Sequence, residues 1–301
     1  MVTSFSQSYT YKATLEAAHK VTWRIEDIIG GDRCLDFTKP FLPEALAGVE
    51  SINCLNNDDK RILNQIRGNS YLYLFGLVEE FIVPLVLDHV HQIGTRDITA
   101  TQAYLCFAEE EGKHIELFRR FGEVFRAGFG HPCGCIGPVE NIVNAVLQHS
   151  PLGVALIVLH IEWMTQRHYL DSVRDLQDLD PQFCSLLKHH WLEEAQHAKL
   201  DTLMLHSIAQ TLDKAAIVQG IEDYFAIKEF LDGGLMMQVQ LDIESLQTAT
   251  GRALTEAEKS EIEIAQAQAY RWTFLESGMT HPNFAQTLDE LKAAADRAAA
   301  A

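Results

Sequence analysis

The chain has 301 residues, with 24 Lys+Arg against 42 Asp+Glu and a formal net charge of −18 at pH 7. Apolar residues make up 47% and charged residues 22%, which suits a globular chain and excludes a disordered one. The acidic balance argues against nucleic acid and anionic membrane surfaces as partners, because both need a cationic face.

The longest apolar run, 153–161, is broken by His160 and is far short of the ~20 residues of a spanning helix. The N-terminal stretch lacks the charged start and apolar centre of a secretory signal. Six scattered cysteines are too sparse for a disulfide framework, and only Cys133 and Cys135 lie close together. The expectation is a reducing, cytoplasmic setting with no membrane partner.

In chain order, apolar residues three and four apart predict helices. The first long segment runs from Asp58 to about Val90, with Ile62, Ile66, Leu74, Leu77, Phe81 and Leu85 along one side and a kink expected at Pro84. A break near Gly94 precedes a second segment, Thr99 to Ala127, and the stretch from Gly128 to Pro138 reads as a loop. The third runs from Pro151 to about Leu176, and the fourth from Gln182 to about Leu212. A fifth spans Ala215 to Leu246, interrupted at Gly233 and Gly234. Thr255 and Glu258 form a capping box for a sixth, ending near Glu276, and the alanine-rich tail reads as a frayed helix. No strand pattern or linker is evident. The predicted fold class is all-α, one helix-bundle domain over 1–301 with a four-helix core at about 58–212 and additional flanking helices.

The four core helices carry acids and histidines in apolar surroundings. Glu111 and His114 are three apart on the second; Glu194 and His197 repeat that spacing on the fourth, and His190 precedes Glu194 by four. Such offsets share one helix face. Glu162 is a lone acid in an apolar third helix, and Glu79 and Glu80 sit in the apolar first. Bare carboxylates there are costly unless they share a cation or take up a proton. Dinuclear carboxylate bundles meet that cost with a Glu from each of two helices and Glu-x-x-His from each of the other two. Carboxylate and imidazole donors suit iron, with manganese as the alternative ion.

A single Glu-x-x-His is weak, and random placement among 24 Glu and 13 His gives roughly one, as with Glu16 and His19. The specific signal is the order Glu, Glu-x-x-His, Glu, His-x-x-x-Glu-x-x-His on successive helices. His160, His168 and His189 read as ordinary histidines. Glu109 and Glu110 read as a solvated side of the second helix, and Glu193 as off the ligand face. His131, Cys133 and Cys135 lack a fourth ligand nearby, and the deaminase spacing H-x-E…P-C-x-x-C is not met.

That order of ligands, with the added histidine, resembles the p-aminobenzoate N-oxygenase family of diiron enzymes over roughly 71–206. The resemblance implies a ferritin-like bundle holding two irons that activate O₂ and oxidise arylamines. It implies Glu111, His114, Glu162, His190, Glu194 and His197 as metal ligands. For the first helix the family pattern favours Glu79, whereas helical phase favours Glu80: Arg61, Gln65 and Gly68 share the Glu79 side, Ile62, Ile66 and Tyr73 the Glu80 side. Expected partners are O₂, a small-molecule substrate and an electron donor, with a homodimer as candidate assembly. Alternatives are a diiron hydroxylase or desaturase, a ribonucleotide-reductase-like radical subunit, a ferritin-like iron store and a helical interaction protein without metal.

Overall fold

The computed structural model describes residues 9–297. In chain order the helices are α1 (Tyr11–Ala18), α2 (Ile25–Ile28), α3 (Glu44–Ala47), α4 (Asn57–Ile93), α5 (Ile98–Phe129), α6 (Val139–Leu147), α7 (Pro151–Arg167), α8 (Pro181–Ala209), α9 (Lys214–Thr250), α10 (Glu256–Arg271), α11 (Ser277–Met279) and α12 (Pro282–Arg297). Two π-helical turns, His168–Val173 and Trp272–Glu276, extend α7 and α10. The class is all-α, as the periodicity predicts. Among the described residues there is no strand, only an isolated bridge between Gly30 and Arg33.

Helix starts follow local chemistry. Side chains of Asn56, Asp97, Ser150 and Asp180 accept backbone N–H groups at the starts of α4, α5, α7 and α8. Pro151 and Pro181 occupy first-turn positions, where no N–H is needed. The capping box of Thr255 and Glu258 is formed.

Helix α4 carries Pro84 within its length. Two expectations are corrected. Helix α9 continues through Gly233 and Gly234. Mid-helix glycine costs only about 1 kcal/mol each, which a 37-residue packed helix absorbs. The tail is not frayed up to Arg297, since Phe284, Leu288, Leu291 and Ala295 of α12 are buried; 298–301 lie outside the described residues.

Helix α4 packs along α5, and α7 packs along α8 and α9. This brings α4, α5, α7 and α8 together, while α9 covers α7 and α4. Helix α4 has the length and hydropathy of a membrane span, yet 61% of that window is buried inside the bundle. The N-terminal loop wraps α4: Gln65 donates to the carbonyls of Phe37 and Lys39, and Asn64 ties the backbone of Phe41 and Leu42. Gly68 is required here, because an added Cβ would come within 2.9 Å of Phe41 Cβ.

Candidate metal centre

Glu79 of α4, Glu111 and His114 of α5, Glu162 of α7, and His190, Glu194 and His197 of α8 are all buried, with Glu111, His114 and His197 at 0% exposure. Their donor atoms form two overlapping groups. Glu79, His114, His190 and Glu194 make one; Glu111, His114, Glu194 and His197 make the other, with ligand atoms within 4.8 Å of one another. Glu194 Oε1 lies 3.1 Å from His114 Nδ1, 3.0 Å from His190 Nε2 and 3.4 Å from His197 Nδ1. Glu79 lies 3.3 Å from His190 Nε2 and 3.6 Å from His114 Nδ1, and Glu111 lies 2.9 Å from His197 Nδ1. Glu162 adjoins the cluster, close enough to Glu194 for each carboxyl to shift the other's proton affinity.

Glu80 is corrected. Its carboxylate is one-third exposed and pairs with Arg119 at 2.5 Å, away from the cluster. The phase argument favoured it because Gln65 and Gly68 look like a solvated side, but that side lies under the 37–42 segment.

Seven buried atoms of these ligand candidates make no hydrogen bond: Glu79 Oε2, both Glu111 oxygens, His114 Nδ1, Glu162 Oε2, Glu194 Oε1 and His197 Nδ1. Six of the seven lie 2.9–3.6 Å from an oppositely chargeable neighbour in the cluster, contacts that hold only where a proton is taken up. A cation pair offers these donors a common partner, so the donor set fits a metal pair.

The electrostatics agree. Burial pushes the Glu162 carboxyl well up, aided by Glu194. Burial opposes the charged forms of His114 and His197, but the surrounding carboxylates outweigh it and lift both well above the usual imidazole range. For His190 burial outweighs Glu194, and its value falls. Burial would raise Glu194, but His190 and His197 hold it well below the carboxylate range. Protons thus balance the carboxylate charge where cations would otherwise do so.

Two residues that the sequence reading set aside prove central. His114 Nε2 faces Glu193 at 2.9 Å, and His197 Nε2 faces Glu110 at 2.8 Å. Both glutamates are buried, contrary to the solvated role expected of Glu110. Each outer nitrogen donates to a carboxylate, so that loss of the ring's second proton leaves the Nδ1 lone pair facing the cluster. The signal was present as a doubled pattern, Glu-Glu-x-x-His at 110–114 and again at 193–197. Lys113 pairs with Glu193 and lies over Trp23, whose ring stacks on His114 at 6.1 Å.

The other histidines lie elsewhere. His160 meets Tyr224 at 2.9 Å, His189 Nδ1 donates to the Ser185 carbonyl at 2.6 Å, and Glu16 and His19 are exposed on or beside α1. Cys133 and Cys135 line a groove with His131, and burial pushes both thiols up to about 12.

No protein-family model and no curated protein matches the chain. Solved structures similar to it include an R2-like ligand-binding oxidase with aerobically reconstituted Mn/Fe cofactor, at TM-score 0.47 and 14% identity, covering 89% of this chain and 93% of that one. A variant of such an oxidase with aerobically reconstituted Fe/Fe cofactor gives 0.48 and 14%, with coverage of 89% and 93%. Another variant, with Mn/Fe cofactor, gives 0.48 and 15%, with coverage of 90% and 98%. These likenesses are remote, and the functional reading rests on the donor set of this chain.

Proposed function

We propose that the chain is a non-haem diiron oxygenase that uses O₂ to N-oxygenate an amine of the arylamine type. The observation that carries this reading is the convergence of Glu79, Glu111, Glu194 and three histidines in two overlapping donor groups, with Glu162 beside Glu194 and seven buried atoms lacking a hydrogen bond. Glu79, Glu111, His114, Glu162, His190, Glu194 and His197 would hold two irons, with manganese able to replace iron in the same oxygen- and nitrogen-rich set. When bound, the pair supplies the electrons and coordination positions for O₂ activation.

The chain supplies the rest. Glu110 and Glu193 fix the histidine tautomers, and Phe75, Phe107 and Phe118 ring the histidines and exclude water. An electron donor is required, and a homodimer remains the candidate assembly.

The test is metal analysis of purified protein, then reduction, O₂ exposure and product analysis with an arylamine panel. About two irons per chain and hydroxylamine, nitroso or nitro products support the reading. Absence of bound metal, or oxygen delivered only to carbon, refutes the corresponding half.

One observation favours a radical subunit as second reading. Ser277 Oγ donates to the Thr273 carbonyl, so it accepts from His168 Nε2, leaving His168 Nδ1 to accept from buried Tyr71 at 2.9 Å. The Tyr71 ring lies 4.7 Å from Phe75 at a 50° tilt, and Phe75 meets His190 edge-on. A tyrosyl signal in electron paramagnetic resonance, lost in Tyr71→Phe, would support that reading.

A further inference from the structure

Two openings reach toward His190 from different sides, and their chemistry is opposite. The first is a cavity of about 380 Å³ between α4, α7, α9 and the π turn after α10. Its wall is made of Leu, Ile, Val, Phe, Met and Gly, with no side-chain nitrogen or oxygen. Phe75 lines it and also meets the His190 ring edge-on at 5.4 Å. Val78 and Ile161 of the wall immediately precede Glu79 and Glu162 in the chain. The rim carries Phe230 and Met237, which are 45% and 62% exposed, and Gly233 and Gly234 of α9.

The second is a groove of about 1020 Å³ along α4 and α5, lined by Phe118, whose ring is 5.0 Å from that of His190. It carries the Glu80–Arg119 pair, Arg126, His131 and further acids.

Resting on the diiron reading, we infer that the apolar cavity is the substrate site and that the substrate is an uncharged, apolar arylamine without a carboxylate. A carboxylate or aliphatic ammonium placed there would lose its water with no partner to replace it. An arylamine nitrogen is uncharged at neutral pH and enters without that cost. A cavity of about 150 Å³ admits benzene, so 380 Å³ holds an aromatic ring with a chain of several carbons. The volume lies within the usual range for small-molecule sites. A dry wall that shares Phe75 with the surroundings of His190 also keeps water from that side of the cluster, which the charged groove cannot do.

The test compares 4-butylaniline with 4-aminobenzoate by titration calorimetry, on iron-loaded and metal-free protein. Gly234→Leu narrows the cavity: its added Cβ meets only Ile136 Cδ1, at an ordinary 3.4 Å. Gly122→Leu is the matching change in the charged groove, where an added Cβ meets nothing within 4 Å. Ile157→Phe fills the cavity from the opposite wall and serves if the first variant is unstable.

The expected result is that 4-butylaniline binds about tenfold or more tightly than 4-aminobenzoate and loses about tenfold or more in Gly234→Leu but not in Gly122→Leu. Equal or tighter binding of 4-aminobenzoate, no binding of 4-butylaniline, or a loss confined to Gly122→Leu overturns the inference. Iron content separates this failure from that of the diiron reading: two irons with the wrong ligand preference refute the cavity alone. Absence of iron refutes the metal centre, while the metal-free titration still decides the cavity.

Discussion

Replacing Glu79 and Glu80 one at a time tests the centre most directly, since the two are adjacent in sequence and opposite in environment. Glu79 belongs to only one of the two donor groups, so Glu79→Ala should remove one ion and leave the group of Glu111, His114, Glu194 and His197 intact. A ligand at 100 times its Kd stabilises by about 2.7 kcal/mol. At roughly 2.1 cal/mol/K per residue, the unfolding entropy of 301 residues is about 0.6 kcal/mol/K. Each ion is then worth about 4 °C of melting temperature, so chelation should lower Tm by about 9 °C in the native chain and about 4 °C in Glu79→Ala. Glu80→Ala removes an exposed ion pair worth roughly 0–1 kcal/mol and should leave both ions and the chelation shift unchanged. Calorimetric melting with and without chelator, alongside elemental analysis, reads both. Two ions retained in Glu79→Ala, or one lost in Glu80→Ala, would refute the assignment.

Further outcomes are expected. Glu193→Ala and Glu110→Ala each release the outer nitrogen of a ligand histidine and should weaken metal binding about 10–100-fold, as read by competition with a chelator. Burial holds His168 down to about 3 from the usual 6.5, so below pH 6.5 the unfolded chain takes up a proton that the folded chain refuses. Its contribution to stability is complete above 6.5 and is lost at about 1.4 kcal/mol per unit as pH falls toward 3. Urea unfolding at pH 7, 6 and 5 should therefore show a shallower pH slope in His168→Gln, by that amount, and an identical slope would contradict the reasoning. Gly278→Ala would push a Cβ to 2.5 Å from the His160 carbonyl oxygen and should cost about 1–3 kcal/mol in the same assay; an unchanged midpoint would mean α11 and α7 separate freely.

Much of the fold was legible because long helices with capped starts repeat their periodicity many times. Helix α6 has only nine residues, too few to stand out beside the loop before it. The shared helix faces of Glu111 with His114 and of His190, Glu194 and His197 were legible because helical offsets of three, four and seven need no tertiary information. The choice between Glu79 and Glu80 did need it: α4 is buried on most of its surface, and what covers Gln65 and Gly68 is a loop 26–28 residues earlier in the chain. Glu110 and Glu193 were misjudged for a related reason, because a charge beside a charge suggests solvent until the facing helix is in place.

The exchange between the two doubled glutamate motifs ties α5 and α8 in both directions. His114 of α5 leans on Glu193 of α8, and His197 of α8 leans on Glu110 of α5. A slip of one helix past the other by a single turn, ~5.4 Å, would strand both imidazoles together. The pair behaves as a reciprocal latch: neither half of the centre can assemble in the wrong alignment while the other is correct.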